Sequence, residues 1–404
     1  MKLPYIRRAR HLAALAEWEE RLAKAKLRQA ELAEKLKVLT ETRGRELDHT
    51  RALSKLCESL KAEVAELRQR EADADPLQFT LLDRVAAARA GQFQKPTTPI
   101  PVVLCVDVEP DAREVDLADP SWRGTDVFLE KWPALMATLV EKSGAASVPL
   151  TWFPRADPQI EKSNGSAGFA LQRYTQHWEA AQAAGDEIGL HMHGWRWQEE
   201  TGQWSQDHGD SAWMEHCLRS AIGEYRAHFG KTPPVYRGGD HYLDDTVLRV
   251  LREEGIPLDM TLELLPTMQR LVEVEHGTGS LPDCSGAPAY AYRPCVEDFR
   301  VPAPGQSDGL GILPLTPFQG GSLCLWAPNH RVDEALEFII QQKPAPSHLA
   351  FAVRSNIADT GYWPCFVENM LSLARRVKEG SLRFTTASQA WQLAMAEKED
   401  ASCP

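Results

Sequence analysis

From Pro99 onward, short apolar runs alternate with amphipathic helical stretches, and this alternation limits the possible folds more than any other feature of the chain. The candidate strands are 101–109, 148–154, 187–195, 235–239, 258–264, 311–317, 322–328, 348–355 and 382–386. Helical patterns lie between many of them. In 211–229, Leu218, Ala221, Ile222, Tyr225 and Phe229 recur at three- and four-residue spacing, which predicts a helix with one buried face. Strands alternating with helices imply an α/β domain, a parallel sheet with helices outside it, of the (β/α)-barrel kind. Catalytic side chains in such barrels gather at the carboxyl ends of strands.

Residues before this domain have a different texture. One heptad phase runs from Leu15 to Leu67. Its first seam position reads Leu15, Leu22, Gln29, Leu36, Arg43, Thr50, Cys57 and Val64; its second reads Trp18, Ala25, Leu32, Leu39, Glu46, Leu53, Leu60 and Leu67. Apolar residues at that spacing form a stripe that another helix must cover. Either one helix of about 55 residues, roughly 80 Å long at 1.5 Å per residue, pairs with a second chain, or the chain turns back at Gly44 as a helical hairpin. The unbroken phase favours the long helix. The expected division is a coiled-coil arm over 1–75, a proline-closed linker over 76–99, the β/α domain over 100–396 and a tail over 397–404.

Polar residues mark several strand ends. Asp107 and Glu109 close VVLCVDVE, and residues two apart in a strand project to one face. Burying two carboxylates together is costly unless a cation or an arginine compensates. Asp111, just beyond, is placed either to cap a helix or turn or to join them. His191 and His193 close EIGLHMHGW, again on one face, and imidazole pairs suit zinc and similar cations. With Glu109 they make a facial set of three. Arg237, Asp240 and His241 stand at the rim in VYRGGDHY, where Gly238 and Gly239 loosen the backbone, and Asp259 ends the next run. An arginine there can hold a catalytic aspartate ionised and oriented. Trp152, Trp195, Trp197, Trp204, Tyr242 and Trp326 lie near these ends, as either core or sugar-stacking surfaces.

The strings VVLCVDVEPD, GDEIGLHMHGW, YRGGDHYLDDTVLRVLREEGIPLDMTL and LRFTTASQAW, in that order, resemble the motifs of the NodB-type polysaccharide deacetylase superfamily over about 100–395. The resemblance implies a distorted (β/α) barrel and hydrolysis of an N-acetyl or N-formyl group on an amino sugar. It implies Asp107 as general base, Glu109 (or Asp111), His191 and His193 as ligands of a divalent metal, zinc being the expected one, and Arg237 as the residue orienting Asp107. The chain departs from the common pattern in three places. Val108 separates the acidic pair, Trp195 occupies the usual second histidine position, and 348–355 offers Arg354 and Ser355 in place of a late histidine. His241, or a water, is then left as proton donor, and Arg354 is a candidate for holding an anionic group.

Charge and cysteine usage narrow the setting. The net charge is −12, with 17 Lys+Arg against 14 Asp+Glu in 1–75 and 28 against 43 in the remainder. An acidic catalytic region argues against nucleic acid as a partner. The eight cysteines form no CxxC pair, no run approaches the roughly 18 apolar residues of a membrane span, and the first residues lack an export-signal pattern, so a cytoplasmic protein is expected. The expected partners are an amino-sugar or glycan-precursor substrate, further copies of the chain through the coiled coil, and proteins of polysaccharide assembly. The competing expectations are a catalytically silent sugar-binding or scaffold protein and a metal-free C–N hydrolase on the same fold.

Overall fold

The computed structural model describes residues 98–264, 277–278, 284, 286–303, 309–318, 321–341 and 346–402, with the isolated position 28. The chain divides into Met1–Ala86 and Ala87–Pro404. The coiled-coil arm expected over 1–75, and the linker up to its last two residues, lie outside the described residues.

The second unit is an α/β structure built on parallel sheets. Its strands are β1 (Ile100–Val108), β2 (Thr151–Pro154), β3 (Glu187–Ile188), β4 (Leu190–Met192), β5 (Trp195–Gln198), β6 (Gln203–Asp207), β7 (Tyr236–Gly238), β8 (Leu258–Asp259), β9 (Gly277–Thr278), β10 (Gly311–Ile312), β11 (Pro317–Phe318), β12 (Gly321–Ser322), β13 (Leu349–Arg354) and β14 (Leu382–Thr385). Its helices are α1 (Arg123–Ser143), α2 (Pro158–Asn164), α3 (Phe169–Arg173), α4 (Thr175–Ala183), α5 (Ser211–Phe229), α6 (Asp245–Glu253), α7 (Val332–Ile340), α8 (Trp363–Lys378) and α9 (Ala387–Ser402). One parallel sheet runs β13-β1-β2-β3, with β14 also on β1, and a second runs β10-β8-β7-β4. α9 runs past the boundary expected at 396 to Ser402.

The β-branched run of β1 is buried along its whole length, as a strand covered on both faces must be. Val102, Leu104, Val106 and Val108 join the large cluster that includes the apolar faces of α1, α5 and α8. Val103 and Cys105 point the other way, into an inner cluster with Phe153, Val235, Leu258, Met260, Leu313 and Ala350, which Ala387, Ala390 and Ala394 of α9 also enter. The period of two therefore carries Asp107 and Glu109 along the inner line.

Two hydrogen-bonded seams join the sheets. Arg155, one residue beyond β2, bridges in parallel to His191 of β4, and Ala156 N–H donates to His191 O at 3.0 Å. On the other side, Thr316 N–H donates to Ala350 O at 3.0 Å and Ala350 N–H to Thr316 Oγ1 at 2.8 Å. Gly189 sits where the 187–195 run leaves β2 and takes up β7. A Cβ there would lie 2.7 Å from Phe153 and 2.8 Å from Val235, so the crossing needs glycine.

The helix expected over 211–229 is α5, capped by the Asp210 carboxylate and ended by Gly230 at φ 67°. The strand expected over 322–328 is not one. Only Gly321–Ser322 pairs, with β11, and Cys324 N–H then donates to His330 Nδ1 while Pro328 opens a tight turn. Leu323, Leu325 and Ala327 alternate in sequence because a buried loop sends them to the core.

Candidate active site

Glu109, His191 and His193 meet at the carboxyl ends of β1 and β4, all buried, with one ligand atom from each lying within 4.8 Å of the others. His193 Nε2 lies 3.1 Å from Glu109 Oε2, His191 Nε2 lies 3.8 Å from it, and the two Nε2 atoms are 3.1 Å apart. The remaining ring nitrogens are tied down. His191 Nδ1–H donates to Arg237 O at 2.8 Å, and His193 Nδ1–H donates to Asp240 Oδ2 at 2.9 Å. A carbonyl and a carboxylate only accept, so both protons belong on Nδ1 and both Nε2 atoms carry lone pairs. Burial, reinforced by Arg155, pushes the His193 pKa well below the usual histidine value. Burial alone would raise Glu109, but Arg354 and the adjacent imidazoles hold its carboxyl well below the usual carboxylate range. One potential ligand atom from each of the three side chains thus converges on a common point.

Those atoms fit a divalent cation. Ligands about 2.0–2.2 Å from a tetrahedral zinc stand roughly 3.3–3.6 Å from one another, and the three separations here bracket that span. Each imidazole also has the outer hydrogen bond that metal-ligating histidines ordinarily make. Gly239 makes room for this arrangement, since a Cβ on it would lie 2.3 Å from the His193 ring.

Asp107 stands beside this set on the same strand face. Arg237 Nε donates to its Oδ1 at 3.0 Å and its Oδ2 at 3.1 Å, while Arg237 Nη1 donates to Met260 O at 3.0 Å. The Arg237 side chain therefore aims Asp107 while its carbonyl aims His191. Asp240 and His241 adopt the left-handed conformation, at φ 53° and 57°. Asp240 serves His193 and also accepts from Gln206, which makes it a positioning residue. His241 Nε2 lies 3.1 Å from Glu263, and its Nδ1 is buried without a hydrogen-bond partner among the described residues.

Two candidates lie elsewhere. Asp259 is fully buried on β8, with Thr261 N–H donating to its Oδ1 at 3.0 Å and the Thr261 hydroxyl to its Oδ2 at 2.7 Å. Asp111 does not join the ligand set: its Oδ1 accepts from Gly124 N–H at 2.9 Å, in the first turn of α1, and its Oδ2 accepts from the Ser121 hydroxyl. Trp152, Trp195, Trp204 and Tyr242 are core residues. Trp197 and Trp326 are half-buried.

Four groups escape the sequence reading. Arg155, fully buried, reaches Glu109 at 3.4 Å and Asp157 at 2.6 Å. Asp157 caps α2 through Gln159 N–H and Ile160 N–H and also accepts from His193 N–H at 3.0 Å. Arg113 pairs with Asp240. Glu263 supports His241. Only Arg155 has a signal of its own, since it follows a strand directly, as the acids and histidines do.

No family profile matches the chain, and no curated protein does. Solved structures do. The chain is similar to a Mycobacterium smegmatis protein provisionally assigned as a polysaccharide deacetylase, at 17% identity over 76% of this chain and 96% of that one, with a TM-score of 0.42. It is similar to a Parabacteroides distasonis protein provisionally assigned as a glycoside hydrolase/deacetylase, at 15% identity over 74% and 71%, with a TM-score of 0.48. A peptidoglycan deacetylase from Bacillus subtilis is similar at 10% identity over 76% and 97%, with a TM-score of 0.36. Several of the similar structures are named as deacetylases, and another is named as a 4-alpha-glucanotransferase. At such identities and scores, what this site does has to be read from its own residues.

Proposed function

We propose that the chain is a metal-dependent hydrolase, a carbohydrate N-deacetylase that removes an acetyl or formyl group from an amino sugar or sugar-containing precursor. The observation that carries the proposal is the convergence of Glu109 Oε2 and the Nε2 atoms of His191 and His193. In this reading the two sheets and their seams form a distorted (β/α) barrel with the site in its mouth. Glu109, His191 and His193 would hold a divalent cation, zinc being the expected one, which would supply a Lewis acid for the acyl carbonyl and for water. Asp107, aimed by Arg237, takes the proton of the attacking water as its oxygen bonds to the acyl carbon. His241, paired through Nε2 with Glu263, would donate from Nδ1 to the departing nitrogen only in its protonated form, which Glu263 favours against the lowering effect of burial, and the proton taken up by Asp107 restores the balance. The C–N bond breaks, and acetate or formate and a free amine leave.

Further features suggest a setting in surface polysaccharide biosynthesis. Cys105, Cys217, Cys295, Cys324 and Cys365 are free thiols, in keeping with a reducing cytoplasm. No described helix is long and apolar enough to cross a membrane. Self-association through the arm, near polysaccharide-assembly proteins, completes the proposal. One observation favours a second reading, C–N hydrolysis without a metal: Glu109 already pairs with Arg354 and Arg155, so its charge is met within the protein.

The test is release of acetate or formate from N-acylated amino sugars, with and without a chelator. Chelation should stop turnover, and Asp107→Asn should lower kcat by about 10²-fold or more with the metal retained. Unimpaired turnover by Asp107→Asn would remove the base from the scheme. Turnover that survives exhaustive chelation would favour the metal-free reading.

A further inference from the structure

Around the Glu109, His191 and His193 set, the positive side chains are placed unequally. Arg155 is fully buried and its guanidinium is spent on Asp157, Gln159 and Glu109. Arg354 and Arg113 are not enclosed. The Arg354 side chain is 33% exposed and that of Arg113 is 52% exposed, while the carboxylates they touch, Glu109 and Asp240, are 4% and 3% exposed. Arg354 uses Nε on Glu109 and Nη2 on Pro110 O, which leaves Nη1 without a partner among the described residues. One guanidinium thus reaches the ligand set through Glu109 and the other through Asp240, the partner of His193. Their outer edges face solvent at the mouth.

The two arginines are near enough to repel. Burial and the nearby charges of Arg354 and Arg155 depress the Arg113 pKa, against the pull of Glu109. Glu109, Asp157, Asp240 and Glu114, which also acts on Arg113, exceed Arg113, Arg155 and Arg354 by one charge, so a divalent cation on the ligand set would leave this patch positive by one. Like charges held together beside an accessible mouth are relieved by an anion, and guanidinium is the side chain best matched to carboxylate and phosphate oxygens.

We infer that the substrate carries an acidic group, a carboxylate or a phosphate, which Arg354 and Arg113 hold at the rim while the N-acyl group lies against Asp107. The inference rests on the deacetylase reading for the acyl group and adds the class of sugar. Arg354 and Arg113 are then specificity-determining residues.

Calorimetric binding to the full-length protein tests it, using N-acetylglucosamine, its 1-phosphate and an N-acetylated hexosaminuronic acid. At low salt at least one acidic sugar should bind about tenfold or more tightly than the neutral one, and the preference should shrink as salt rises. The two acidic arms tell phosphate from carboxylate. Arg354→Gln and Arg113→Gln should each remove most of that preference, weakening the acidic sugar by a clearly larger factor than the neutral one. If Arg354→Gln does not fold, Arg113→Gln, on a half-exposed side chain, and the salt series still decide. Equal affinity for acidic and neutral sugars, equal loss of both in the arginine variants, or no binding of any sugar would overturn the inference. Acetate release from neutral sugars without any acid preference would keep the reaction and remove this inference. Acid-selective binding without turnover would do the reverse.

Discussion

Arg237 shows how much one residue can organise when both its side chain and its carbonyl are used. Its guanidinium fixes Asp107 and its carbonyl accepts from His191 Nδ1, so the proposed base and the proposed ligand are aimed from the same point on β7. Asp259, one strand further on, contributes differently. Burial pushes its pKa from 3.8 up to about 7, because two hydrogen bonds from Thr261 do not replace the water it has lost. The folded chain therefore holds a proton that the unfolded chain releases near pH 4. Stability falls as pH rises through the window from 3.8 to about 7, and the whole penalty is present above it. Asp259→Asn should be more stable than the parent above pH 7, by on the order of 1–4 kcal/mol, and the gap should close towards pH 4. Denaturant unfolding at several pH values measures this. A gap independent of pH would mean that Asp259 does not titrate as described.

Elements locate these residues, and much of their placement is legible in the chain. Period-two reasoning puts Asp107 with Glu109 and His191 with His193, because side chains alternate on any strand whatever its partners. It does not say which strands are neighbours, so the pairing of His193 with Asp240, or of Glu109 with Arg354, had no sequence signal. Arg155 was overlooked because the strand-end rule was applied to acids and imidazoles and not to a guanidinium after Pro154. The run 322–328 misleads because a buried loop and a strand share the same alternation. Asp111 is ambiguous in sequence and placed by structure: it acts at a distance on the first turn of α1, whose own flanking residue Trp122 makes no side-chain cap. Asp111→Ala should cost about 1 kcal/mol in thermal or denaturant unfolding and leave the metal content unchanged. Loss of metal in that variant would return Asp111 to the ligand set.

At the scale of the whole molecule, the arm and the α/β unit carry separate expectations. The heptad stripe from Leu15 to Leu67 needs a covering helix. Removal of 1–75 should convert an oligomer into monomers by light scattering, with kcat per chain unchanged. A full-length chain that is already monomeric would instead support the hairpin alternative at Gly44. The proposed chemistry of the second unit depends on whether Glu109, His191 and His193 hold a cation. Elemental analysis of the purified full-length protein measures that directly. About one divalent metal per chain is expected, falling to background in His191→Ala and His193→Ala variants that remain folded. A parent protein that binds no metal at any loading, or variants that keep their full complement, would contradict the account.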